Sequence, residues 1–135
     1  MIRRREALAL RMMVGLAGIV PVAAGLDGMI RGSAMLGGVS AANLTLDSHL
    51  RYLSGLLLAI GLGFWSTIPR LDVQGGRFRL LTALVVVGGL GRLFGILMMG
   101  LPPAPMLFGL VMELGVTPLL CLWQVRLAAS VPQSG

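Results

Sequence analysis

The chain has 135 residues, of which 56% are hydrophobic and 12% charged, with a net charge of +6. Soluble domains carry about 25% charged residues, so this composition excludes an ordinary soluble globular domain and points to a lipid bilayer. All eleven basic residues are arginine, and most of them flank apolar runs on one side. That is the positive-inside pattern of membrane topology, not a nucleic-acid-binding patch.

The first apolar segment runs from about Ala7 to Ile30, behind Arg3, Arg4, Arg5 and Arg11. Val22-Ala23-Ala24 resembles a signal-peptide cleavage site. The apolar run continues past it to Met29 and Ile30, interrupted only by Asp27, so a retained helix bent at Pro21 is expected. Residues 31–47, with Gly32, Ser33, Gly37, Gly38, Ser40 and Asn43, suit a loop. Asp47 or Ser48 is then expected to cap a second segment, about His49 to Ile68, which Pro69 ends. A linker holding Arg70, Asp72, Gly75, Gly76, Arg77 and Arg79 leads to a third segment, Phe78 to Gly100. The turn Leu101-Pro102-Pro103-Ala104-Pro105 makes a short antiparallel hairpin with a fourth segment, Pro105 to Val125. The tail after Arg126 is short and polar and is expected to be disordered.

The spacing predicts one transmembrane domain over residues 1–135: an all-α, antiparallel up-down four-helix bundle. With the N-terminus inside, the cytoplasmic ends hold Arg3, Arg4, Arg5, Arg11, Arg70, Arg77, Arg79 and Arg126, against Arg31 and Arg51 on the opposite side. Both termini are therefore expected to be cytoplasmic. Phe64, Trp65, Phe78 and Trp123 fall near the inner interface and Tyr52 near the outer one, as an aromatic belt would place them. Gly55, Ala59 and Gly63 recur at four-residue spacing, as do Gly91 and Gly95. Such stripes let membrane helices approach closely, within one bundle or in a homodimer.

The polar residues inside these segments are few. Arg92 is ten residues before Pro102 and Glu113 ten after Pro103, so both lie about 15 Å from the turn, near the middle of a hydrocarbon core of about 30 Å. An ionisable residue at that depth is costly and is read as functional, with its partner named. Asp27, Asp47, His49 and Arg51 belong to the outer half. Together the six residues suggest a polar pocket open to the outer face and floored by Arg92 and Glu113. Gly88, Gly89 and Gly95 share a helical face with Arg92 by spacing, as Gly109 and Thr117 do with Glu113. Blander readings stand beside this one. Arg92–Glu113 also suits an interhelical ion pair that fixes register, His49 an interfacial or capping role, and Asp27 a pair with Arg31 one turn later. The nine methionines and Cys121 read as packing. No metal spacing, phosphate loop or catalytic signature is present, so neither cofactor nor metal is expected.

Several blocks carry a resemblance: Leu46-Asp47-Ser48-His49-Leu50-Arg51-Tyr52-Leu53-Ser54-Gly55, Phe64-Trp65-Ser66-Thr67-Ile68-Pro69, Gly88-Gly89-Leu90-Gly91-Arg92-Leu93, and Gly100-Leu101-Pro102-Pro103-Ala104-Pro105 followed by Glu113. In order and spacing they look like the bacterial membrane family catalogued as domain of unknown function 4345, over about residues 10–127. The resemblance implies a four-helix protein of the bacterial inner membrane and no assigned activity. Likeness to DoxX-like four-helix proteins is one of architecture alone. Three functions compete. The first is a non-enzymatic component, either a subunit of a larger membrane complex or a self-associating bundle. The second is a binder or enzyme of a lipophilic molecule such as a quinone or isoprenoid lipid. The third is a small transporter, disfavoured because Glu113 has a matching arginine and the charge bias is strong.

Overall fold

The computed structural model describes residues 2–37 and 43–130. Gly38, Ser40 and the residues after Ser130, assigned above to a loop and a disordered end, lie outside them. Among the described residues there is no strand. Four helices, α1 (Ile2–Arg31), α2 (Leu44–Thr67), α3 (Gly75–Met99) and α4 (Ala104–Ala129), are each long and apolar enough to cross a bilayer. Short 3-10 turns, Gly32–Leu36 and Ile68–Arg70, follow α1 and α2.

Several boundaries differ from the sequence expectation. α2 starts at Leu44, because the Asn43 side-chain oxygen accepts a hydrogen bond from the Leu46 amide at 3.0 Å. Asn43 therefore satisfies an amide that the helix itself leaves unpaired, and Asp47 lies inside the first turn instead of capping it. α1 is a single helix with Pro21 inside it. α4 continues past Arg126 to Ala129. Phe64 and Phe78 are 7% and 1% exposed, so these two are core side chains and not members of an interfacial belt.

The chain divides into two compact units, one made of Met1–Ala17 with Thr67–Gly135 and the other of Gly18–Ser66. In the Gly18–Ser66 unit the later part of α1 packs against α2 through glycine. Gly18 lies against Trp65, Gly25 against Leu58 and Ser54, and Gly28 against Ser54. From the other side, Gly61 receives Val22 and Pro21. The partner number falls as the α1 number rises, so the two helices are antiparallel where they touch. A Cβ on Gly25 would lie 2.6 Å from the Leu58 nitrogen, a distance that backbone atoms do not tolerate. The glycines that bring these helices together are thus Gly18, Gly25, Gly28 and Gly61. Gly55, from the stripe read in the sequence, makes only an ordinary contact with Met29.

In the other unit α3 and α4 run antiparallel where they meet. Gly75 faces Gln124, Gly89 faces Glu113 and Leu114, and Gly109 faces Arg92. Leu10, Val14, Leu71, Phe78 and Leu120 are its buried apolar side chains, with Gln124 as a buried amide. The Gln124 Nε2 donates to the Leu71 carbonyl at 2.9 Å, so this polar side chain reaches a backbone acceptor that the preceding turn leaves open.

Candidate functional site

α3 carries Arg92 and α4 carries Glu113, and the two side chains meet as a fork. Arg92 Nε donates to Glu113 Oε2 and Nη2 to Oε1, each at 3.0 Å. This bidentate geometry is the strongest that a guanidinium and a carboxylate form. Nη1 points to the Met106 sulfur at 3.2 Å, a weak acceptor. The side chains are 33% and 19% exposed.

Two glycines make room for the pair. A Cβ on Gly89 would stand 2.9 Å from Glu113 Cβ and 2.8 Å from Leu114 Cδ2, whereas one on Gly109 would reach the Arg92 guanidinium carbon at an unstrained 3.7 Å. Gly89 therefore sets how closely Glu113 approaches α3, and Gly109 leaves the guanidinium space. Gly88 and Gly95, grouped with Arg92 by spacing, turn elsewhere: a Cβ on either would meet nothing within 4 Å.

Glu113 also sits in a π-helical turn, Met112–Val116. Pro118 explains it. Proline has no N–H to give the Leu114 carbonyl, and its ring crowds the carbonyl four residues back. The helix widens just before it, and the Thr117 amide bonds the Met112 carbonyl five residues back. The Thr117 hydroxyl adds a bond of 2.8 Å to the same oxygen. Such repairs let membrane helices carry proline, and π turns are frequent at functional positions.

The other candidate residues belong to the Gly18–Ser66 unit. Asp27 pairs with Arg31 at 3.2 Å, as expected. Asp47 and Arg51 form a larger network. Asp47 Oδ1 accepts from the Ser33 amide at 2.8 Å and from its hydroxyl at 3.2 Å, while Oδ2 accepts from Arg51 Nε at 2.8 Å. Arg51 Nη1 donates to the Met29 and Ile30 carbonyls at 2.6 and 3.0 Å. These are among the last carbonyls of α1, which have no partner within the helix. Gly32, at φ +55°, turns the chain out of the helix, and a Cβ there would run into Asp47 and Arg51. The network clamps the end of α1 onto the start of α2. The His49 side chain makes no hydrogen bond among the described residues, and the residue is exposed. Among those residues no three of His, Cys, Asp and Glu gather as metal ligands would.

The sequence profile of a family described as domain of unknown function (DUF4345) matches residues 9–124. The chain belongs to the DUF4345 family. No curated protein and no solved structure matches it. The matched stretch of this DUF4345 protein contains all six candidate residues: Asp27, Asp47, His49, Arg51, Arg92 and Glu113.

Sequence reasoning misses Ser33, the Met29 and Ile30 carbonyls and the π turn in this DUF4345 chain. A signal exists for the last, since Thr117-Pro118 follows Glu113 within the same apolar run. For the network, Asp47→Ala is expected to loosen the turn between α1 and α2, because it removes one charged acceptor from three donors. Ser33 should then exchange its amide hydrogen much faster; an unchanged exchange rate would show that the network is not what holds the turn.

Proposed function

We propose that this protein is a non-enzymatic component of the bacterial inner membrane, spanning it four times with both termini in the cytoplasm, and that it assembles with a second copy through an open face of α3. One observation carries the reading. A Cβ placed on Gly88, Gly91 or Gly95 meets nothing within 4 Å. Glycine inside a helix costs up to about 1 kcal/mol relative to alanine. Gly18, Gly25, Gly28 and Gly89 offset that cost by close contact within the chain; these three do not.

Leu84, Gly88, Gly91, Gly95 and Met98 follow one another at spacings of four and three residues. That is the seam of a left-handed helix pair. Leu84 and Met98, at its ends, are 50% and 67% exposed. The commonest way to cover such a face is a twofold pairing with the same face of another copy. The bidentate Arg92–Glu113 pair supports the component reading as well, because each charge already has its partner inside the chain.

Gly91→Leu with Gly95→Leu is expected to convert a dimer into a monomer in mild detergent, read by sedimentation or cross-linking, with the helices intact. A wild-type protein that is strictly monomeric and without partners at all concentrations sinks the proposal.

A second reading is supported by Arg92, whose Nη1 meets only the Met106 thioether among the described residues. There the guanidinium holds a carbonyl or phosphate oxygen of a lipophilic molecule, such as a quinone or isoprenoid lipid, beside Glu113. Native mass spectrometry distinguishes it: the reading requires a bound lipid that Arg92→Ala loses, and it fails if the lipid load is the same.

A further inference from the structure

On α1 we infer that Arg4, Arg5 and Arg11 bind the headgroup of an anionic phospholipid that carries two phosphodiesters, as diphosphatidylglycerol does. The three side chains line a cleft of about 450 Å³ together with Ala7 and Leu8. Arg4 and Arg11 are seven residues apart, two turns of one helix, and Leu8 lies between them on the same side. Arg5 borders the cleft from the next position round the helix. Arg11 lies more than two turns inside α1, so the cleft is made by side chains and not by the first amides of the helix.

The charge of this cleft is not answered within the described chain. Arg31, Arg51 and Arg92 each have a carboxylate partner. Arg4, Arg5 and Arg11 are exposed and make no hydrogen bond or ion pair among the described residues. No carboxylate lines the cleft, because Glu6 stands about 200° round the helix from Arg4.

Beyond the arginines the helix surface turns apolar. Leu8, Met12 and Leu16 follow Arg4 at four-residue spacing and are 59%, 60% and 59% exposed. A cationic cleft at the head of an exposed apolar stripe matches a molecule with an anionic head and acyl chains. The number of charges then selects among such molecules. One phosphodiester answers one of the three guanidinium groups. Two of them, joined through a glycerol, answer two, and together they reach both Arg4 and Arg11, about 10 Å apart along the helix axis. A soluble diphosphate matches the arginines but leaves the stripe uncovered. A phosphocholine headgroup brings a cation of its own to the cleft. The inference rests on the chain lying in a bilayer and not on pairing through α3, so either fails without the other.

The test is native mass spectrometry of the full chain in mild detergent, incubated separately with diphosphatidylglycerol, phosphatidylglycerol and phosphatidylcholine, and with inorganic pyrophosphate as competitor. The lipid with two phosphodiesters should be retained about tenfold over phosphatidylglycerol, and pyrophosphate at equal concentration should not displace it. Arg4→Gln with Arg11→Gln should abolish that preference. Arg3→Gln with Arg126→Gln, which removes the same charge outside the cleft, should keep it. All four positions are exposed, so neither variant removes a buried contact. Equal retention of phosphatidylglycerol or phosphatidylcholine by wild type overturns the inference, as does an unchanged preference in the Arg4 and Arg11 variant. An equal loss in both variants overturns it by reducing the effect to net charge. Displacement by pyrophosphate overturns it too, by making a soluble diphosphate the ligand.

Discussion

Arg92→Ala, made alone, is expected to lower the unfolding free energy by about 2–3 kcal/mol, because it leaves a part-buried carboxylate without its bidentate partner. Glu113→Ala is expected to cost as much, for the mirror-image reason. The double replacement Arg92→Leu with Glu113→Leu should recover most of the loss, because neither charge is then left without its partner. Denaturant titration in micelles, followed by circular dichroism, checks all three variants. The asymmetry comes from geometry. Both guanidinium contacts to the carboxylate are 3.0 Å, and the alternative neighbour of Arg92 is the Met106 sulfur, which cannot neutralise a charge. A double variant that is no better than the single ones would show that the pair contributes something beyond its own mutual satisfaction, and would favour the ligand-holding reading of Arg92.

Gly25→Ala is the second large effect. The added carbon would lie 2.6 Å from the Leu58 nitrogen and 2.8 Å from the Ser54 carbonyl oxygen. Those are backbone atoms of a regular helix, so relief requires α1 and α2 to move apart along their contact. A loss of about 2–3 kcal/mol is expected, typical of overpacking. The matched control is Gly91→Ala, where the added carbon meets nothing within 4 Å. In the monomer that substitution should be neutral or stabilising by up to about 1 kcal/mol. Thermal melts of the two variants side by side read the contrast. A Gly25 variant as stable as the Gly91 variant would mean that α1 and α2 do not approach through glycine.

Much of the site is legible in the order of residues along the chain. Arg92 and Glu113 stand at equal distances from a proline-rich turn, and two opposite charges in apolar segments have little to pair with except each other. Asp27 and Arg31 are legible for a simpler reason, since i,i+4 spacing places them on one helix face. The clamp around Asp47 is not. Its partners Ser33, Met29 and Ile30 lie 14 to 22 residues away from Asp47 and Arg51, across a segment whose path the sequence leaves open. Asp47 reads as a cap because aspartate before an apolar run usually is one, but Asn43 takes that role four residues earlier.

The class of this protein, the number of helices long enough to cross a bilayer and the Arg92–Glu113 partnership all follow from the amino-acid sequence alone. They rest on composition, run length and spacing along the chain, which are local quantities. Which glycines touch, which stay open, how Glu113 is presented and where Gln124 reaches are settled by tertiary packing. These depend on how each helix is rotated about its own axis. That rotation is set by many contacts at once, and a glycine, having no side chain, gives no sign in the sequence of the face it occupies. The adjacent glycines Gly88 and Gly89, one turn before Arg92, show the difference. Gly89 is filled by Glu113 and Leu114. At its neighbour Gly88, about 100° around the same helix, a Cβ would meet nothing within 4 Å among the described residues.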